Sequence, residues 1–228
     1  MTRAKAISSF ISSVTVSLLL ALPSHAQEPL PLQTESADSI PLLNGFAVSV
    51  DLVGPIQRVV GDFGQFEAAF RVNLRDRYFP IVEVGIGNAK HDDVVTLFHY
   101  KSTAPYFRLG MDYNMLKDKH DIYRIYGGGR YAFSYFKYDI AHPGVTDPIW
   151  KTEAPLVANE EKGHYHWLEL SIGVDAKIWG PFHVGWSIRY RRRLIYDYGS
   201  TGNAWYVPGY GESGKTRLGG TFNVGIDL

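Results

Sequence analysis

The sequence predicts an all-β fold, an eight-stranded antiparallel up-and-down transmembrane β-barrel. Three observations predict it. Apolar and polar residues alternate with period two from Gly45 to the C-terminus. The connections between the alternating runs are short and long in turn, as in barrels with tight turns at one end and longer loops at the other. The polar face of the runs is dominated by Arg and carboxylates rather than Lys, which suits buried pairing better than a solvated surface.

Residues 1–26 read as an export signal. Arg3 and Lys5 precede an apolar run from Ile11 to Leu22. That run is too short to cross a bilayer, which takes about 20 residues. Ser24-His25-Ala26 is a small-x-small cleavage pattern. Residues 27–43 carry three Pro and read as a flexible periplasmic linker, which leaves 44–228 for the barrel.

Eight alternating runs follow: Gly45–Val53, Gln65–Arg75, Tyr78–Asn88, Tyr106–Met115, Tyr123–Lys137, His164–Ile178, Phe182–Leu194 and Arg217–Leu228. Each reaches or nearly reaches the roughly 9–11 residues that a tilted strand needs to span a membrane. In the first, Phe46, Val48, Val50 and Leu52 oppose Ala47, Ser49 and Asp51; in the sixth, Leu168, Leu170, Ile172 and Val174 oppose Trp167, Glu169, Ser171 and Asp175. Phe79 and Ile81 blur the third run. The fifth and sixth runs, at about 15 residues, would rise roughly 38 Å against an apolar band of about 25 Å, so they should project beyond the membrane. Short turns are expected at Asp76-Arg77, Leu116–Ile122 and Gly180-Pro181. Long loops are expected at Gly54–Gly64, Ala89–Pro105, Tyr138–Gly163 and Ile195–Thr216.

The polar face carries Asp51, Glu67, Glu83, Asp112, Glu169, Asp175 and Asp227 against Arg71, Arg75, Arg108, Arg124, Arg130, Lys177, Arg189, Arg191, Arg193 and Arg217, so that Arg outnumbers Lys nine to one. An eight-stranded barrel has an interior just wide enough for side chains to fill. Buried charges must pair, or each costs several kcal/mol. The expectation is therefore a plugged interior with an ionic network of Glu67, Arg71, Glu83, Arg108, Asp112, Arg130, Glu169, Asp175, Arg189 and Asp227. The outward faces suit lipid, with Tyr78, Tyr123, Trp186 and Tyr190 nearer the strand ends as an aromatic girdle. Lys137, His164, His166 and Arg192 point outward near the outer rim, where cationic groups would meet lipopolysaccharide phosphates.

Composition excludes other classes. Lys plus Arg equals Asp plus Glu, 23 against 23, which argues against a nucleic-acid binder, and the absence of Cys excludes a thiolate metal site, a cysteine nucleophile and a disulfide scaffold. Gly209–Thr216 matches G-x-x-x-x-G-K-[ST] in full. A phosphate loop works between a buried strand and a helix N-terminus, however, and here only 12 residues follow, which alternate as a strand. The segment reads as an outer loop, and no cofactor is expected. His91-Asp92-Asp93 reads as loop rather than metal site. A lipid-cleaving Ser–His–acid set is not assembled either, since no Ser shares the outward face of His164 and His166.

Several segments together resemble an uncharacterised family of small outer-membrane barrels of Bacteroides-type Gram-negative bacteria, a domain of unknown function. They are Glu83-Val-Gly85, Tyr106-x-Arg108-x-Gly110-x-Asp112-Tyr113-Asn114, Gly128-Gly-Arg130-Tyr131, Trp167-x-Glu169, Gly185-Trp186-Ser-x-Arg189-Tyr190 and Val207-Pro208-Gly-Tyr-Gly211. The resemblance covers Gly45 to Leu228. It implies the barrel fold and the location, and brings no activity, ligand or catalytic residue. Arg217–Val224 is similar to the last-strand signal read by barrel-assembly machinery, although the chain runs on to Leu228 instead of ending in an aromatic residue. The expected role is a non-enzymatic outer-membrane barrel, structural or binding at its outer loops. The expected partners are outer-membrane lipid and lipopolysaccharide, with the assembly machinery during insertion. A lipid-modifying enzyme or a small pore are the alternatives.

Overall fold

The computed structural model describes residues 41–118, 121–146, 149, 153–200, 202 and 204–228. The chain divides into residues 1–39 and 40–228, and the described residues belong to the second unit. The expected export signal and residues 27–40 of the expected linker lie outside the described residues.

Eight strands close into one antiparallel barrel: β1 (Phe46–Asp51), β2 (Phe63–Val72), β3 (Tyr78–Asp92), β4 (His99–Asn114), β5 (Tyr123–Thr146), β6 (Glu153–Trp179), β7 (Phe182–Asp197) and, last in the chain, β10 (Thr216–Asp227). Each pairs with its chain neighbour, and β1 closes the ring on β10 through pairs such as Val50↔Val224. Between β7 and β10 a separate hairpin forms from β8 (Tyr206–Val207) and β9 (Gly211–Glu212). Closure leaves no edge through the girth of the ring, so every ladder position there has a partner strand.

The alternation sorts the side chains in the sense opposite to a soluble protein. Outward Leu109, Leu170 and Leu218 are 63%, 64% and 71% exposed, while inward Arg108 and Glu169 are 1% exposed. Phe79 and Ile81, which blurred the third run, point inward and are buried. No helix among the described residues is long and apolar enough to cross a membrane.

The structure differs from expectation in the connections. Ala89–Pro105 and Tyr138–Gly163 are for the most part continued strands, not loops. β3 and β4 pair as far as Asp92↔His99, and β5 and β6, 24 and 27 residues long, pair as far as Thr146↔Glu153. The strict alternation of short and long links therefore fails at 93–98. His91 and Asp92 stand on β3 rather than in a loop. The reason is chemical. The outward faces of these extensions turn polar, with Lys90, Lys101 and Lys137, while their inward faces stay packed through Ala89, Tyr100, Ala104 and Tyr138, so backbone pairing continues after the outward apolar residues have ended. The free stretch of β6, beyond its last pair with β7 at His164↔Asp197, is blunted by Pro155, a positive φ at Glu160 and register shifts opposite Tyr138–Val145. These devices discourage edge pairing.

The expected loop at 54–64 holds an α-helix, α1 (Val53–Val60). The Asp51 carboxylate caps it, accepting hydrogen bonds from the Val53 and Gly54 amides at 3.2 and 2.9 Å. A closed ladder resists detergent until it is boiled. Unboiled protein should therefore run faster on a detergent gel than boiled protein; equal mobility would count against the closed ring.

Candidate functional site

The inward faces build three layers. The middle layer is ionic. Arg108 lies between three carboxylates: it pairs with Glu67, with Glu83 at 3.1 Å and with Glu169 at 3.0 Å. Arg189 clamps Glu83 through two nitrogens at 2.9 and 3.1 Å and reaches Glu67 at 3.3 Å. Arg130 joins Glu83 at 2.9 Å to Asp112 at 3.0 Å. These side chains come from β2, β3, β4, β5, β6 and β7, so the network ties most of the circumference together. Neighbouring-strand placement follows from register: Glu83 faces Arg108, and Arg130 faces Glu169, as direct cross-strand pairs. Planar guanidinium forks meeting carboxylates in pairs are the arrangement in which buried ions repay their desolvation.

Below, toward the short turns, Arg71 reaches Asp112 and Asp175 at 3.5 and 3.4 Å, and His183 lies 3.1 Å from Asp175. A cavity of about 310 Å³ opens beneath, lined by Arg71, Phe79, Arg124, Lys177 and Asp227.

Above, the chain covers the network with its own loop. Tyr206, Val207, Gly209 and Tyr210 are buried, and the β8–β9 hairpin rests on Tyr106, Tyr165 and Trp167. Arg108 donates to the Gly209 carbonyl at 2.7 Å, and Arg191 donates to the Tyr210 carbonyl at 2.8 Å. Trp167 Nε1 donates to Glu169 and Tyr106 to Glu67, at 2.7 and 2.6 Å. An outer cavity of about 570 Å³ lies beyond this cap, among His91, Phe98, Tyr100 and Trp205.

The structure thus brings Glu67, Arg71, Glu83, Arg108, Asp112, Arg130, Glu169, Asp175 and Arg189 into one connected set of contacts. Asp227 joins this set at the turn end: half-buried, it lies 3.5 Å from Lys177 and 3.9 Å from His183, which contacts Asp175. Arg75 and Lys177, expected on the inner face, are exposed. Arg75 occupies a turn at φ 55, and Lys177 lies near the last pairs of β6. The reading of Gly209–Thr216 as a plain outer loop is also corrected, since its first half folds into the barrel mouth. Arg191, Trp167, Tyr106, His183 and the hairpin carbonyls were missed as members of the network. All four side chains were visible as inward positions of their strands; the hairpin carbonyls left no trace in the periodicity.

Lys137, His164, His166 and Arg192 face outward on β5, β6 and β7. Lys137 pairs with Glu160 at 3.0 Å, and His166 Nδ1 lies 2.7 Å from the Tyr131 hydroxyl. The His164 and His166 rings are 5.8 Å apart. Among the described residues no group of three His, Cys, Asp or Glu is placed to hold a metal ion. Ser134 is buried inside and donates to the Pro105 carbonyl at 2.9 Å, on the opposite side of the wall from both histidines.

A family model described as Domain of unknown function (DUF6048) matches residues 6–227. No curated protein matches the chain. Among solved structures the chain is similar to a major outer membrane protein from Thermus thermophilus, at 13% identity over 81% of this chain and 98% of that one, with a TM-score of 0.42.

Proposed function

We propose that this chain, which belongs to the DUF6048 family, is a non-enzymatic integral outer-membrane barrel of a Gram-negative cell. Its interior is plugged, and its role is structural or is surface binding through the outer loops. In this reading residues 1–26 direct export and 27–43 form a periplasmic linker. Assembly machinery reads the last strand, and Lys137, His164, His166 and Arg192 meet lipopolysaccharide at the outer rim. No cofactor or nucleic acid takes part.

The observation that carries the reading is the inversion of burial around a closed ring. Leucines stand exposed on the outside while Arg71, Arg108, Arg130, Arg189 and Arg191 are buried within. Water would not tolerate the first arrangement over so many strands, and hydrocarbon suits it. The plug is supported by the contacts of Arg108 and Arg191 with the hairpin, which set the cap directly on the ionic layer.

Planar-bilayer recording tests the plug. Purified protein should insert without producing steady ion-conducting steps. Reproducible single-channel steps would overturn the plug in favour of a pore.

A further inference from the structure

The outer wall of β2, β3 and β4 carries a groove of about 550 Å³, lined by Phe66, Ala68, Val84, Ile86, Pro105 and Phe107. Directly above it Asn88 and Thr103 face each other across β3 and β4, with Asn88 Nδ2 donating to Thr103 Oγ1 at 2.7 Å. The Asn88 Oδ1 atom is buried and has no hydrogen-bond partner among the described residues. Two pairs higher, on the same face, Lys90 stands directly opposite Lys101. Like charges placed directly opposite destabilise an antiparallel pair, so such a pair calls for an anion. Two carboxylates stand nearby, and each is shared with another donor. Asp92 lies 3.8 Å from Lys90 but also takes a hydrogen bond from His99 at 2.8 Å, and Asp139, across from Lys101, accepts the Glu160 amide at 2.8 Å. Lys101 makes no ion pair among the described residues.

Reading up the wall, the chemistry runs from apolar groove to amide and hydroxyl to paired ammonium groups. Four residues separate the Ile86–Pro105 pair from the Lys90–Lys101 pair, which is about 10 Å along the membrane normal. That ordering is the ordering of an amphiphile bearing phosphate. We propose that the outer face of β2–β4 holds one phosphorylated lipid. Its acyl chain lies in the groove, its sugar hydroxyls meet Asn88 and Thr103, and its phosphate sits between Lys90 and Lys101. The proposal rests on the membrane reading above and adds a defined lipid site to it.

Native mass spectrometry of the full folded protein in detergent tests it, with diphosphoryl lipid A as the probe and its dephosphorylated form as comparison. Wild type should retain one phosphorylated lipid, with inorganic phosphate failing to displace it. Two variants attack the two halves of the site: Lys90→Ser with Lys101→Ser removes the phosphate arm, and Ala68→Trp fills the groove. Each should cut retention about tenfold or more, while Lys117→Ser at the opposite rim should not. Equal retention of the dephosphorylated lipid, or unchanged retention in both variants, would overturn the site. Heat-modifiable migration, measured on the same samples, keeps the two readings apart. Protein that migrates as folded but retains no lipid defeats only this inference, whereas protein that never folds in detergent or lipid defeats the membrane reading itself.

Discussion

Replacing Arg108 by glutamate should all but abolish folding into lipid vesicles. Arg108 serves Glu67, Glu83 and Glu169 at once and also holds the Gly209 carbonyl, with its side chain fully buried. The reversal would gather a fourth carboxylate where three already converge. Breaking a buried pair costs about 3–5 kcal/mol, and reversing a sign costs more because repulsion replaces attraction. The folded fraction, read as the fast-migrating band of unboiled samples, should fall about tenfold or more. Arg108→Met should fall less, since it removes the charge without adding one. Lys215→Ala, on the exposed loop, should leave the yield unchanged. Equal yields for Arg108→Glu and Lys215→Ala would contradict the inward register of β4.

The second large effect is expected at Gly209. Its φ is +80, a conformation that side chains other than glycine's rarely adopt, and a Cβ there would lie 2.4 Å from the ring of Tyr106. Tyr106 cannot yield, being fully buried and hydrogen-bonded to Glu67 at 2.6 Å. Gly209→Val should therefore expel the β8–β9 hairpin from the barrel mouth. Proteolysis between residues 204 and 217 in vesicle-embedded protein should accelerate about tenfold, the order expected for a disruption of about 1.4 kcal/mol or more. Gly202→Ala is the comparison. Gly202 also has positive φ, at 72, but a Cβ would meet nothing within 4 Å, so only local strain is added. Neither variant should open a conducting path, because the ionic layer remains beneath the hairpin. Unchanged proteolysis of Gly209→Val would mean that the hairpin is not held by the packing described.

The barrel wall was legible because the apolar residues keep period two along each strand. Phe66, Phe70, Leu109, Leu170 and Ile188 could face only one way, and their neighbours Glu67, Arg71, Arg108, Glu169 and Arg189 then had to share the inside. That same step gave nearly all of the ionic contacts. What the sequence hid lies beyond the outward apolar band or across the barrel. Lys90, Asp92, Lys101 and Asp139 take the outward positions while Ala89, Tyr100 and Tyr138 turn inward, so the apolar face switches sides and the long outer extensions of β3 to β6 read as loops although their backbones stay paired. Helix α1 was hidden because its apolar Ile56, Val59 and Val60 stay exposed, and its cap, Asp51, belongs to the preceding strand. The inserted hairpin was hidden most completely. Val207-Pro208-Gly209-Tyr210 has the composition of any turn, and the contacts that bury it come from Arg108 and Arg191, 101 and 19 residues away in sequence. Asp227 stands at the margin of the network, reaching it through His183, because period two states which face a residue takes, not how near the rim it stands.

The absence of native Cys makes the account open to a direct measurement. Single cysteines introduced at Leu170, 64% exposed on the outer face, and at Ser187, buried beside Thr221, can each carry an environment-sensitive fluorophore. In vesicles containing brominated acyl chains, the probe at Leu170→Cys should be strongly quenched by lipid and shielded from a water-soluble quencher, while Ser187→Cys should be reached by neither. A Leu170 probe quenched from the water phase and indifferent to brominated lipid would contradict the arrangement of leucines toward hydrocarbon and arginines within.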